Sequence, residues 1–160
     1  MYTTILVLHS WLRWLTLGAG LAATIAVARD TTAPPAGPAA APVKSLADRL
    51  GTLLISTLDL QVLLGLALYF ALSPTMEAIR ANFGESMRDP VARFWAVEHI
   101  TTMFGAVIAA HVGRVLARKT ADPNSRRMKL LICYGIATVL MCLAVPWPGM
   151  RAGRPLFRGF

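Results

Sequence analysis

Four runs of apolar residues, each long enough to cross a lipid bilayer, constrain this chain more than any other feature. They cover 4–28, 50–72, 94–117 and 130–147, and a helix needs roughly 20 such residues to span a hydrocarbon core about 30 Å thick. With no water available there, every backbone N–H and C=O must be satisfied within the segment, so each run is expected to be helical. The fold class that follows is all-α: a four-helix transmembrane bundle forming one membrane domain over residues 1–160. Composition agrees, since 56% of the residues are hydrophobic, against roughly 45–50% in soluble domains.

The net charge of +8 could mark a nucleic-acid partner. Here the basic residues sit in connectors and at span ends, where topology accounts for them. A nucleic-acid partner is therefore excluded, and membrane lipid is expected instead. One side collects Arg29, Lys44, Arg49, Arg118, Lys119, Arg126, Arg127 and Lys129, with Arg114 close by. The other has Arg80, Arg88, Arg93, Arg151, Arg154 and Arg158. The tight cluster at 114–129 selects the cytoplasmic side, which places both termini outside. The first run lacks a basic leader and is interrupted by His9 and Arg13, so it reads as a span and not a cleaved signal.

Between the spans, 29–49 is rich in Pro and Ala and is expected to be extended, with Ser45 capping the second span. The connector 73–93 has helical spacing over 76–83, predicting a short interfacial helix ended by Gly84, and Pro90 then starts the third span. Asp122-Pro123-Asn124 reads as a turn. Trp11, Trp14, Trp95 and Trp147 fall on one side, where an aromatic belt explains them; contact with a cofactor edge is the alternative. Cys133 and Cys142 point to opposite faces of one helix, roughly 13 Å apart along its axis, so they are packing residues and not a disulfide.

The polar residues inside the spans carry what chemistry there is. His9 lies about five residues into span one and His99 about five residues into span three, both entering from the same side. Each imidazole is then about 8 Å below the outer edge. Two histidines at equal depth on different helices suit the axial ligation of one haem iron. Spans one and three are accordingly expected to be contacting parallel neighbours. Arg13, one turn deeper than His9, is placed to meet a propionate or to pair with Glu98. Glu98 is placed to accept the ring N–H of a ligating histidine. The alternative is an Arg13–Glu98 ion pair with both histidines merely hydrogen-bonded.

His111 lies about 18 Å deeper than His99 and about 120° around the helix. Asp59 on span two is at a similar distance from the inner edge, so the two are expected to form a hydrogen-bonded polar pair. A proton, a second haem or a chlorophyll-type pigment at His111 are alternatives. There is no CxxC, HExxH or glycine-rich phosphate loop, so no catalytic residue is assigned. The intramembrane glycines read as helix-packing residues.

At this point "LHSWLRW" at 8–14, "FWAVEH" at 94–99, "HVGR" at 111–114 and "PWP" at 146–148 resemble a group of small four-helix bacterial membrane proteins described as cytochrome b-like. The resemblance runs over nearly the whole chain. It implies a four-helix bundle with b-type haem in the bacterial inner membrane, both termini periplasmic. It carries iron-ligand roles onto His9 and His99, and onto His111 if a second haem is bound. Members of that group often have a histidine just before the "LQ" of span two, where this chain has Asp59.

The function expected is that of a membrane cytochrome or cytochrome-like subunit. It would pass electrons to quinone or to other subunits of a larger redox or photosynthetic complex. An accessory structural subunit is the first alternative, with its polar residues as interhelical glue. A small transporter or proton path through Asp59, Glu98 and His111 is the second. In each case a dependent subunit is a better description than a stand-alone enzyme.

Overall fold

The computed structural model describes residues 1–30 and 45–157. All regular structure among them is helical. Helix α1 is Tyr2–Arg29, and α2, Leu46–Ala67, runs on into a π-helical turn at Leu68–Leu72. Three short helices follow: α3 (Pro74–Ala81), α4 (Phe83–Ser86) and α5 (Pro90–Arg93). A second π-helical turn, Phe94–Glu98, leads into α6 (His99–Arg118), and α7 is Pro123–Ala144. Four rods, Tyr2–Arg29, Leu46–Leu72, Pro90–Arg118 and Pro123–Ala144, are long and apolar enough to cross a membrane. The expected extended connector falls largely on 31–44, outside the described residues, as does Arg158.

The rod ends follow from local chemistry. Ser45 accepts the Asp48 N–H at 3.1 Å, the N-cap expected for α2. Asp89 accepts the Val91 N–H at 2.9 Å and Pro90 takes the first helical position, so the third rod starts four residues before its apolar run. Asp122, expected in a turn, instead caps α7 by accepting the Ser125 N–H at 2.7 Å, with Pro123 as first helical residue. The fourth rod stops at Ala144, three residues short of the apolar run's end. Pro146 disfavours a helical Val145, which is extended at φ −69° and ψ 129°. The interfacial helix begins at Pro74, not Met76, because Ser73 caps it. It ends at Ala81, before Asn82, while Gly84 lies inside the next short helix and does not terminate it.

The rods form a ring in the order α2, α1, α7, α6, with α6 returning to α2 along the least extensive contact. Spans one and three are therefore diagonal across the bundle and not the packed neighbours expected from matched depth. An up-and-down bundle of four puts its two parallel pairs on the diagonals. The core is dominated by small residues, Ala19, Ala23, Ala106, Ala110 and Ala137, around Leu54, Leu58 and Tyr134. Cys133 packs on Gly113 across the α6–α7 contact, as a packing cysteine should. The long apolar side chains Leu21, Leu63, Ile108, Val139 and Leu143 point outward.

The two ends of the bundle differ. At the basic end, Arg127 donates to the last carbonyls of α1, Val27 and Ala28, and Arg126 bonds Asp48 at 2.8 Å. At the histidine end, a second small core of Met76, Ile79 and Ala96 joins the short helices to the third rod. Arg80 donates to the carbonyls of Tyr69 and Phe70, which the end of the second rod leaves open. The chain after α7 folds back over α1: the Leu156 carbonyl accepts from Arg13 at 2.7 Å and from the Trp14 indole at 3.1 Å.

Candidate functional site

The histidine end encloses a cavity of about 250 Å³, walled by all four rods and roofed by the 73–76 segment and the returning tail. Its polar lining comes mainly from His9, Arg13, Gln61, Trp95, His99 and Arg154, and its flexible apolar lining includes Met76, Met103 and Met141. Among the described residues no Asp or Glu lines it.

His9 projects from α1 and His99 from the first position of α6, and their rings meet across the diagonal. The centroids are 6.4 Å apart with the planes at 70°. Two imidazoles on opposite sides of one first-row metal, at roughly 2 Å per metal–nitrogen bond, have ring centres about 6 Å apart. The separation thus suits a shared metal.

The π-helical turns help to set this geometry. Each widens its rod by one residue and frees backbone groups. The Tyr69 hydroxyl, on the turn of the second rod, donates at 2.8 Å to the Ala96 carbonyl on the turn of the third. This bond ties the two rods beside the cavity. One helical turn before His99, Trp95 lies against it, ring centres 5.7 Å apart.

Each imidazole has a defined partner. His99 Nδ1 lies 2.8 Å from the Ala144 carbonyl, at the end of α7. A carbonyl only accepts, so Nδ1 carries the proton, and in the neutral ring Nε2 keeps its lone pair. A backbone carbonyl on the second ring nitrogen is a common device for orienting a metal-binding histidine. His9 Nε2 lies 3.2 Å from the Gln61 amide nitrogen, which also donates to the His9 carbonyl at 3.0 Å. Its Nδ1 is buried and has no hydrogen-bond partner among the described residues, and nor has Gln61 Oε1. Gly65 faces the same ring: a Cβ there would stand 3.2 Å from His9 Cε1.

The other expected site residues divide. Arg13 lines the cavity, stacks on Trp14 at 4.8 Å and holds the tail through Leu156. Glu98 does not join the histidines. Its carboxylate bonds Arg93 Nε at 2.7 Å on the exposed surface, since adjacent residues on a helix project roughly 100° apart and Glu98 faces away from the side that His99 presents. Ala144 takes the place expected of Glu98 beside the ring. His111 bonds Asp59 at 2.9 Å, in the polar pair expected between α6 and α2, one turn from Arg114, which donates to Thr52 at 2.8 Å. Among the described residues no group of three or more His, Cys, Asp or Glu converges. A cage of protein ligands alone is therefore not formed, whereas a macrocycle that brings four nitrogens of its own needs only two axial imidazoles.

Gln61, Gly65, Ala144 and Arg154 enter the site without having been singled out for it, while Trp95 was expected there only as the alternative to an aromatic belt. The signal for Gln61 was an amide inside an apolar run, a residue that needs a partner there. Arg154 and the Ala144 carbonyl had no such signal, since both depend on where α7 stops. In comparison with known proteins, the chain matches no protein-family model, no curated protein and no solved structure.

Proposed function

We propose that this chain is a membrane-embedded b-type cytochrome, or a cytochrome-like subunit, that holds one haem b between His9 and His99. The observation that carries the reading is the approach of the two rings to 6.4 Å inside one cavity. Three further features support it. His99 offers Nε2 because Ala144 holds Nδ1. The buried Nδ1 of His9 and Oε1 of Gln61 have no hydrogen-bond partner among the described residues, a rare condition in a folded protein. Gly65 leaves open the space beside His9 that any side chain would fill. The cavity is below the roughly 300–1,000 Å³ of ligand pockets, but three of its walls are methionines, the side chains best able to rearrange.

Bound haem supplies a one-electron iron couple whose potential depends on its axial ligands and surroundings. The chain's own part is positional. His9 and His99 would hold the iron across the diagonal, with Gln61, now 3.2 Å from His9 Nε2, beside the ring. Arg13 places a positive charge at the cavity wall, which favours the reduced, less positive state. The proposed setting is a bacterial inner membrane, with the 114–129 cluster cytoplasmic and both termini periplasmic. The described connectors are short, so electrons would pass to quinone or to neighbouring subunits of a membrane redox complex.

The Gln61–His9 bond favours a second reading, an accessory subunit in which these groups are interhelical glue. The reduced-minus-oxidised absorption spectrum of the purified protein separates the two. The cytochrome reading expects a low-spin haem signal that His99→Ala abolishes and His111→Ala keeps. A colourless protein after expression with ample haem leaves the accessory reading standing, and a low-spin signal that survives His99→Ala overturns the ligand role of His99.

A further inference from the structure

Arg154 was counted as a topological cation of the tail, yet the fold returns it to the cavity. After α7 the chain turns through Gly149, whose φ of +91° suits glycine. The loop closes where the Arg154 N–H donates to the Pro146 carbonyl at 3.1 Å. Gly153 fits against the Trp147 carbonyl, where a Cβ would come within 2.6 Å. The guanidinium is thereby set over the Trp95 ring, 5.4 Å from its centre, at the exposed mouth of the cavity.

Two donors in this place have no protein acceptor among the described residues. The Trp95 indole N–H is buried and has no hydrogen-bond partner among the described residues. The Trp14 and Trp147 indoles do, donating to Leu156 and Cys142 at 3.1 and 2.9 Å. An indole N–H can only donate, and leaving it buried without an acceptor is unfavourable. The Arg154 guanidinium likewise makes no side-chain hydrogen bond to a described residue, its contact being with the face of the same ring. With Arg13 also in the wall and no Asp or Glu among the described lining residues, the cavity lining is cationic and largely apolar.

We propose that Arg154 and the Trp95 indole N–H form a carboxylate-binding subsite, so that the ligand carries an acid group held at the mouth while its apolar body lies inward. Stacking on Trp95 orients the planar guanidinium for the two-pronged contact that arginine makes with carboxylates. The inference rests on the reading that the cavity takes an amphiphilic tetrapyrrole; it adds which residues hold the acid groups.

The test titrates the full-length, pigment-stripped protein in detergent with haem b and with its dimethyl ester, following absorbance. The ester keeps the ring and the iron and lacks the charges. The wild type should bind haem b more tightly than the ester. Arg154→Gln should weaken haem b roughly tenfold or more, the scale of a charge-assisted hydrogen bond, and leave ester affinity unchanged. Trp95→Phe keeps the stacking ring and should give a smaller, equally selective loss. If Arg154→Gln weakens both ligands alike, or neither, the subsite is wrong while the haem site stands. If the wild type binds neither ligand, the haem reading and the subsite fall together.

Discussion

His99 and His111 are on the same rod, twelve residues apart, and their surroundings are opposite. His99 faces a second imidazole in a cavity with no Asp or Glu among its described lining residues, and a backbone carbonyl fixes its proton. His111 faces a carboxylate, and the side chains of His111 and Asp59 are 47% and 43% exposed. The first setting leaves a nitrogen lone pair pointing at space that a ligand can fill. The second uses His111 Nε2 in a direct hydrogen bond to Asp59. What separates a candidate metal ligand from a polar packing residue is thus the partner the bundle supplies, not the residue type or its depth in a span.

Removing an outer imidazole should have the largest effect. His9→Ala is expected to eliminate the low-spin haem spectrum, since nothing described beside His9 offers a replacement imidazole, whereas Asp59→Asn should leave pigment content unchanged. Loss of pigment in Asp59→Asn would erase the distinction and assign a tetrapyrrole to the inner pair. Next comes the space beside His9. Gly65→Val is expected to lower haem affinity by about 10- to 100-fold, from about 1–3 kcal/mol of overpacking. Gly18→Ala, where a Cβ meets nothing within 4 Å, serves as the neutral control. Spectral titration of both variants checks this.

His111→Ala should keep the spectrum and lower stability by about 1 kcal/mol, the low end for a partner left unpaired at a half-exposed site. Thermal or denaturant unfolding in detergent reads it, and a loss of several kcal/mol would mean that the pair is buried in the working assembly. The smallest expected effect is electrostatic. Arg13→Gln keeps a donor for the Leu156 carbonyl but removes the charge, so the midpoint potential should fall by on the order of tens of millivolts. An upward shift in a redox titration would show that Arg13 does not act through its charge.

Much of this was legible before the fold. Apolar runs separated by basic connectors give four rods, and counting along two of them puts His9 and His99 level. The same counting pairs Asp59 with His111. Depth along an axis says nothing about rotation, however, and rotation decided Glu98: one residue before His99 it projects roughly 100° away and bonds Arg93 on the exposed surface. Nor does depth decide which helices adjoin, so the two histidines meet across a diagonal instead of a shared interface. The Ala144 carbonyl is open because Pro146 ends α7, and Arg154 returns only through a glycine-bearing loop. Both are consequences of chain termination and folding back, for which hydrophobic periodicity has no signature.

The most direct test of the account is the number of haems per chain in the purified wild type, from pyridine haemochromogen absorbance against quantitative amino-acid analysis. One haem b per chain is the expected result: the outer pair occupied and the inner pair not. None, after expression with ample haem, would contradict the assignment of His9 and His99. Two would contradict the contrast between the sites, since His111 and Asp59 would then be holding a cofactor as well.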